Sequence, residues 1–180
     1  IVSRGYRQDQ HWDERIGELY KKQVQLDEML AQSMVAQKGF GRPGHVLFMS
    51  EFPAEQVAPA IDAFVRSIMG DPNYQWTNNV VFAIGESEDL NHRELIRKQY
   101  DRHGVRSAVI MTLAEKPTEE DREKFIEGLQ SSQIEVLTAC LDAFEKLPPH
   151  KNAAEQVALV ATLRRLGANP AEMKLRERVA

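Results

Sequence analysis

The sequence predicts an all-α chain: antiparallel helix pairs stacked side by side as an α-solenoid, preceded by one long N-terminal helix. Three observations carry this expectation. From Thr118 to Val179, helix start and stop signals alternate with no strand pattern between them. From about Asp9 to Lys38 the chain holds no proline and keeps one helical period. A segment near Ala108 also matches one near Ala139 at an offset of 31 residues.

In the first helix, Ile16, Leu19, Leu26 and Leu30 fall at a/d-like spacing, with Tyr20 and Met34 beside that seam. Gly39 is expected to end it, Arg42-Pro43-Gly44 to turn the chain, and Val46 to Met49 to pack as a buried linker. Val57, Ile61, Phe64, Val65 and Ile68 then recur at helical spacing between Pro53 and Met69, with Gly70 and Asp71-Pro72 as the stop. Val80 to Ile84 is too short for its periodicity to separate a strand from a buried helical turn. Leu90 to His103 reads as a helix closed by Gly104.

Further on, Thr118 and the acidic turn Glu119-Glu120-Asp121 suit the positive end of a helix dipole. Ser132 to Glu135 has the form of a capping box ahead of a helix that Pro148-Pro149 halts. Asn152 and Asn169 are the expected caps of two more helices. Sliding "SAVIMTLAEK" (Ser107 to Lys116) onto "TACLDAFEKL" (Thr138 to Leu147) pairs small residues with small and large apolar ones with large. A unit of this kind leaves an apolar face that only a stacked neighbour can cover.

The chain of 180 residues is 42% hydrophobic and 28% charged, an ordinary balance for one folded domain. We therefore expect one continuous body, with residues 1–52 as helix and Gly/Pro loop and residues 53–180 as the repeat region. The start at Ile1 and the end within a helical pattern read as a piece of a longer protein. A net charge of −4 gives no global attraction to nucleic acid, and no apolar run reaches the ~20 residues that span a bilayer. Cys140 is the only cysteine, which excludes an intrachain disulfide and a cysteine-rich zinc site.

The competing reading is an α/β nucleotide-binding or enzyme domain. Val46 to Met49, Val80 to Ile84 and Val105 to Thr112 would be its buried strands, and "GFGRPG" (Gly39, Gly41 and Gly44) its phosphate loop. That loop works when a strand enters it and a helix leaves it. Here a long helix enters and an apolar run leaves, so the order is reversed.

Residues able to carry chemistry are dispersed. His11, His45, His92, His103 and His150 form no H-x-x-x-H pair, and no serine sits in a G-x-S-x-G elbow. Cys140 lies on an apolar stripe and reads as a buried, inert thiol. Glu115, Glu119, Glu120, Asp121, Glu123 and Glu127 read as a solvated helix face. These patterns assign no catalytic, cofactor-binding or metal-binding residue.

The polar stretch that stands out is "HRELIRKQYDRHGVR". Arg93, Arg97, Arg102 and Arg106 form the candidate interaction surface there, a basic ridge for phosphate or an acidic protein face. The plainer reading pairs Glu94 with Lys98 on an exposed helix face. Base-stacking aromatics are sparse, so nucleic acid is not the expected partner. Trp12, Tyr20, Phe40, Phe48 and Trp76 are large anchors for a core or for contacts with further domains.

The segment from Ser107 to Leu166, with "EVLTACLDAFEKL", resembles HEAT-type helical repeats. With "QKGFGRPGHVLF" and "SEFP", the wider chain is similar to helical segments beside c-type cytochrome domains in large multidomain bacterial proteins. That second likeness implies an exported or envelope-located parent with haem elsewhere. No C-x-x-C-H motif occurs here, so no covalent haem is expected in this stretch. From the stacked helix pairs, the expected role is a scaffold without catalysis or cofactor. Its partners would be other domains of the parent or a separate protein.

Overall fold

The structure, a computed structural model, describes residues 5–37, 39–149, 153–167 and 170–179. Among these residues the regular elements are all helical, which sets aside the sheet of the α/β reading. The expected caps Asn152 and Asn169 lie outside the described residues. By its contacts the chain divides into two units, Ile1–Gln75 and Trp76–Ala180. The break falls after Gln75 and not after residue 52, because the helix that follows Pro53 packs on the first helix.

The first unit holds α1 (Gly5–Ala36), a 3-10 segment Pro43–Glu51 and α2 (Ala54–Gly70). Its core gathers Ala31 of α1, Phe40 of the loop and Ala60, Ile61, Ala63, Phe64 and Ile68 of α2. Phe40 anchors the loop: its ring meets Phe64 edge-on at 5.6 Å and stacks with Phe52 at 5.9 Å and His45 at 5.2 Å. The run Val46 to Met49 is not the expected buried linker. It forms part of the 3-10 segment, and Leu47 and Phe48 point outward.

The glycines of "GFGRPG" are explained by packing. Gly39 and Gly41 have φ of 95° and 102°, a region that side chains with a Cβ enter only under strain. A Cβ on Gly41 would also lie 2.5 Å from the Ala63 carbonyl oxygen and from Ser67 Oγ. The loop backbone thus rests directly on α2. Ser67 donates to the Phe40 carbonyl at 3.0 Å, and the buried Tyr74 hydroxyl donates to the Gly41 carbonyl at 2.7 Å. Burial pushes the Tyr74 hydroxyl up to about 12, so it remains a donor at neutral pH.

The second unit holds α3 (Asn78–Gly85), α4 (Leu90–Arg97), α5 (Arg106–Glu115), α6 (Arg122–Gly128), α7 (Ile134–Lys146), α8 (Ala153–Arg165) and α9 (Pro170–Val179). Val80 to Ile84 is therefore a helix, capped by Thr77, whose hydroxyl accepts from the Val80 N–H. The helix expected to reach His103 ends at Arg97, and turns carry the chain through Gly104 to α5. Gly104 does not take the left-handed conformation expected of it. The capping box at Ser132 is not formed either. Gln133 occupies the cap, and Ser131 Oγ accepts its N–H.

Contacts within this unit follow chain order. Helix α3 packs on α5, α5 on α7 and α7 on α9, while α4 and α6 each pack against both sequence neighbours and α8 packs on α9 and α6. The matched segments at Ser107 and Thr138 lie in α5 and α7, which pack on each other. Six residues of α5, from Ala108 to Ala114, are buried. Where α6 approaches α7 there is no room for a side chain: a Cβ on Gly128 would stand 2.5 Å from Cys140 Sγ. Burial pushes the Cys140 thiol up to about 12, which fits the inert role read from its position.

Gly41→Ala adds both a backbone strain and a contact with α2, whereas Gly39→Ala meets nothing nearer than 3.7 Å. Urea denaturation should show Gly41→Ala losing at least about 2 kcal/mol and Gly39→Ala about 1 kcal/mol. Equal losses would contradict the packing account.

Candidate functional site: the arginine cluster and the exposed apolar face

The four arginines do not form a common exposed ridge. Arg93 and Arg97 stand one turn apart on α4 and converge on Asp121, the fully buried residue just before α6. Arg93 Nη2 reaches Asp121 Oδ2 at 2.7 Å, and Arg97 Nε reaches Oδ1 at 2.7 Å. Only 17% and 18% of these two side chains remain exposed. Arg106 lies with its guanidinium 4.8 Å from the Tyr100 ring centre and donates to the Tyr100 carbonyl. Arg102 is exposed.

The reason is the carboxylate. A buried charge is costly in a low-dielectric interior unless donors surround it. Asp121 receives four hydrogen bonds from the two guanidinium groups and Thr118 Oγ1. Burial by itself would raise its pKa. Hydrogen bonds from Arg97, Arg93 and Thr118 outweigh that and hold the carboxyl below its ordinary range. Arg97 is pushed above its ordinary value, first by its hydrogen bond with Asp121. Glu94 pairs with Arg97 and not with Lys98 as its spacing allowed.

Asp121 is not part of the solvated acidic face expected of its run, because it is fully buried. Its neighbours Glu119 and Glu120 do remain exposed. A third arginine shows the reverse arrangement, a buried guanidinium held by carboxylates. Arg122, 4% exposed, pairs with Glu119 at 2.7 Å and with Glu155 of α8 at 2.6 Å, and donates to the Pro148 carbonyl. Guanidinium groups thus tie α4 to the start of α6, and α6 to α8.

Other reactive groups have structural occupations. His92 Nδ1 lies 2.8 Å from Ser87 Oγ, but that hydroxyl also accepts the Asp89 N–H, and Asp89 caps α4 through the Asn91 N–H. Asp89 stands 3.9 Å from His92, beyond hydrogen-bond reach, so the three residues build a helix start. The adjacent cavity, between Gly85, Arg93 and Thr112, is about 30 Å³, the scale of a water and not of a substrate. His45 accepts the Gly41 N–H at 3.2 Å, which removes that amide from any phosphate cradle. Among the described residues no group of His, Cys, Asp and Glu is placed to hold a metal ion. His150 lies outside the described residues, as does the side chain of His11.

The conspicuous surface is instead on α1. Ile16, Leu19, Leu26, Met29 and Leu30 are each 59–67% exposed, and Trp12 and Tyr20 are also open. On α8, Val157 and Val160 are exposed as well. No helix among the described residues is long and apolar enough to cross a membrane.

Asp121→Asn leaves two guanidinium groups around a neutral amide and should cost about 3–5 kcal/mol at pH 7. The depressed carboxyl stabilises the fold above its unfolded pKa of about 3.9, and that contribution is lost as pH falls through the lower folded value. The gap between wild type and Asp121→Asn, followed by chemical denaturation, should therefore narrow below about pH 4. A gap independent of pH would contradict an ionised Asp121. Compared with protein-family models, with curated proteins and with solved structures, the chain finds no match in any of the three.

Proposed function

We propose that the chain is a non-catalytic helical scaffold whose second unit is a HEAT-like stack of antiparallel helix pairs, serving as an interaction part of a larger protein. The observation that carries this reading is the order of helix contacts, α3 to α5 to α7 to α9, with each pair touching its chain neighbours. Packing limited to near neighbours is what a stack of repeats produces. The buried arginine bonds at Asp121 and Glu155 support it, because they join one pair to the next. In this reading the basic cluster holds the stack together, and exposed apolar side chains on the outer helices meet the partner. A parent protein with a c-type haem domain elsewhere remains part of this proposal.

The rival nucleotide-binding reading loses its support at the glycine loop. The Gly41 carbonyl and amide are engaged by Tyr74 and His45, and a helix leads into the loop.

A stack tolerates removal of its end unit. Ending the chain after Pro149 removes α8 and α9, and the remainder should stay helical and melt cooperatively at a lower temperature. Loss of all folded structure on this truncation would overturn the stack. A panel of nucleotides and dinucleotides should leave the melting temperature of the intact chain unchanged. A ligand at 100 times its Kd adds about 2.7 kcal/mol, so a rise of several degrees would restore the rival.

A further inference from the structure

We propose that α1 is a dimerisation helix, pairing with α1 of a second copy of this chain as a parallel, in-register coiled coil. This inference concerns the first unit and does not depend on the repeat reading of the second.

Helix α1 carries two separate stripes. Glu28, Ala31, Met34 and Val35 are the more covered residues of its C-terminal half, and this half packs on α2. Trp12, Ile16, Leu19, Gln23, Leu26 and Leu30 are all exposed. At 100° per residue the two stripes are centred about 110° apart, so α2 does not cover the second. The exposed stripe alternates steps of four and three from Trp12 to Leu30, a 3.5-residue period sustained for about 27 Å. That period belongs to a helix seamed against another helix. A single face turned toward a globular core follows 3.6.

The seam itself selects the occupant. With Ile16 at position a, Leu19 and Leu26 take d, and a β-branched residue at a with leucine at d favours two parallel strands. Gln23 is the polar a residue. Parallel pairing in register sets Gln23 against the partner's Gln23, where the two amides can bond, while antiparallel pairing of the same seam buries it against the partner's Leu19. The flanking charges agree. In the parallel arrangement Lys22 at g faces the partner's Asp27 at e, twice by symmetry. The antiparallel arrangement opposes Lys22 with the partner's Lys22 and Asp13 with the partner's Asp27, both repulsive.

Within the single chain, Gln23 donates to Asp27 at 3.0 Å, a contact along the helix surface that the paired state can exchange for bonds across the seam. An anionic lipid surface fits the face less well. From Trp12 to Ala36 five carboxylates oppose three cations, and membrane-surface helices are rich in Lys and Arg.

Sedimentation equilibrium of the 180-residue chain between about 1 and about 100 μM should give the mass of a dimer. Leu26→Asp, at a position 61% exposed and so outside the monomer core, should give a monomer of unchanged helical fold by circular dichroism within each protomer's second unit. Lys22→Glu and Asp27→Lys should each raise the dimer Kd roughly tenfold, and an equimolar mixture of the two should recover wild-type affinity as a heterodimer. Gln23→Cys should crosslink across the dimer on mild oxidation. A monomer throughout the concentration range would overturn the proposal and leave the face to another segment of a longer chain. It would equally be overturned by a dimer insensitive to Leu26→Asp, by one in which the charge mixture recovers nothing, or by one that Gln23→Cys does not crosslink.

Discussion

Helix α5 has almost no side of its own that tolerates water, and the second unit is arranged around that fact. Ala108, Val109, Ile110, Thr112, Leu113 and Ala114 are buried, so apolar side chains leave the helix in nearly every direction. Such a helix is stable only when enclosed. Helices α3 and α7 close its two flanks, and α4 and α6 complete the enclosure. At about 25 cal/mol per Å² of apolar area, burying each of the larger side chains contributes about 1.5–3 kcal/mol. The neighbours that provide this cover are then committed to their own neighbours, and contacts pass outward from α5 in chain order.

Charge enters the interior only where that arrangement provides donors. Asp121 sits at the junction of α4, α5 and α6, where Arg93 reaches both its carboxylate and the Leu113 carbonyl. An exposed version of the same pair would contribute between about 0 and 1 kcal/mol. Removing water from it makes the geometry count, because each unpaired member would be costly. The cluster therefore fixes how α4 meets the start of α6 more than it adds stability. Arg122 does the same between α6 and α8.

The all-helical class was legible from the caps and breakers after Thr118 and from the proline-free first helix. The nature of "SAVIMTLA" was not, since apolar residues all round erase the period that separates a buried helix from a buried strand. Only its match to the segment at Thr138 pointed to a helix. The burial of Asp121 was not legible, because an acidic run has the same appearance whether or not one member turns inward, and the deciding partners lie 24 and 28 residues away. Likewise the four-residue spacing of Arg93 and Arg97 puts them on one helix face, but nothing local states that the face is covered. The seam on α1 was visible as spacing, while its exposure needed the position of α2. The G-x-G-x-x-G match dissolved for a local reason: a helix enters it, and Gly41 is small because α2 lies against it.

The organisation of the second unit makes a definite demand on its internal dynamics. If α5 is enclosed by successive neighbours, its amides open only when the whole unit unfolds, and protection declines outward through α7 to α8 and α9. Native-state hydrogen exchange followed residue by residue measures this directly. Val109 to Leu113 should exchange with the free energy of global unfolding, and α9 should exchange earliest. Fast, denaturant-independent exchange in α5, with α8 and α9 better protected, would contradict it.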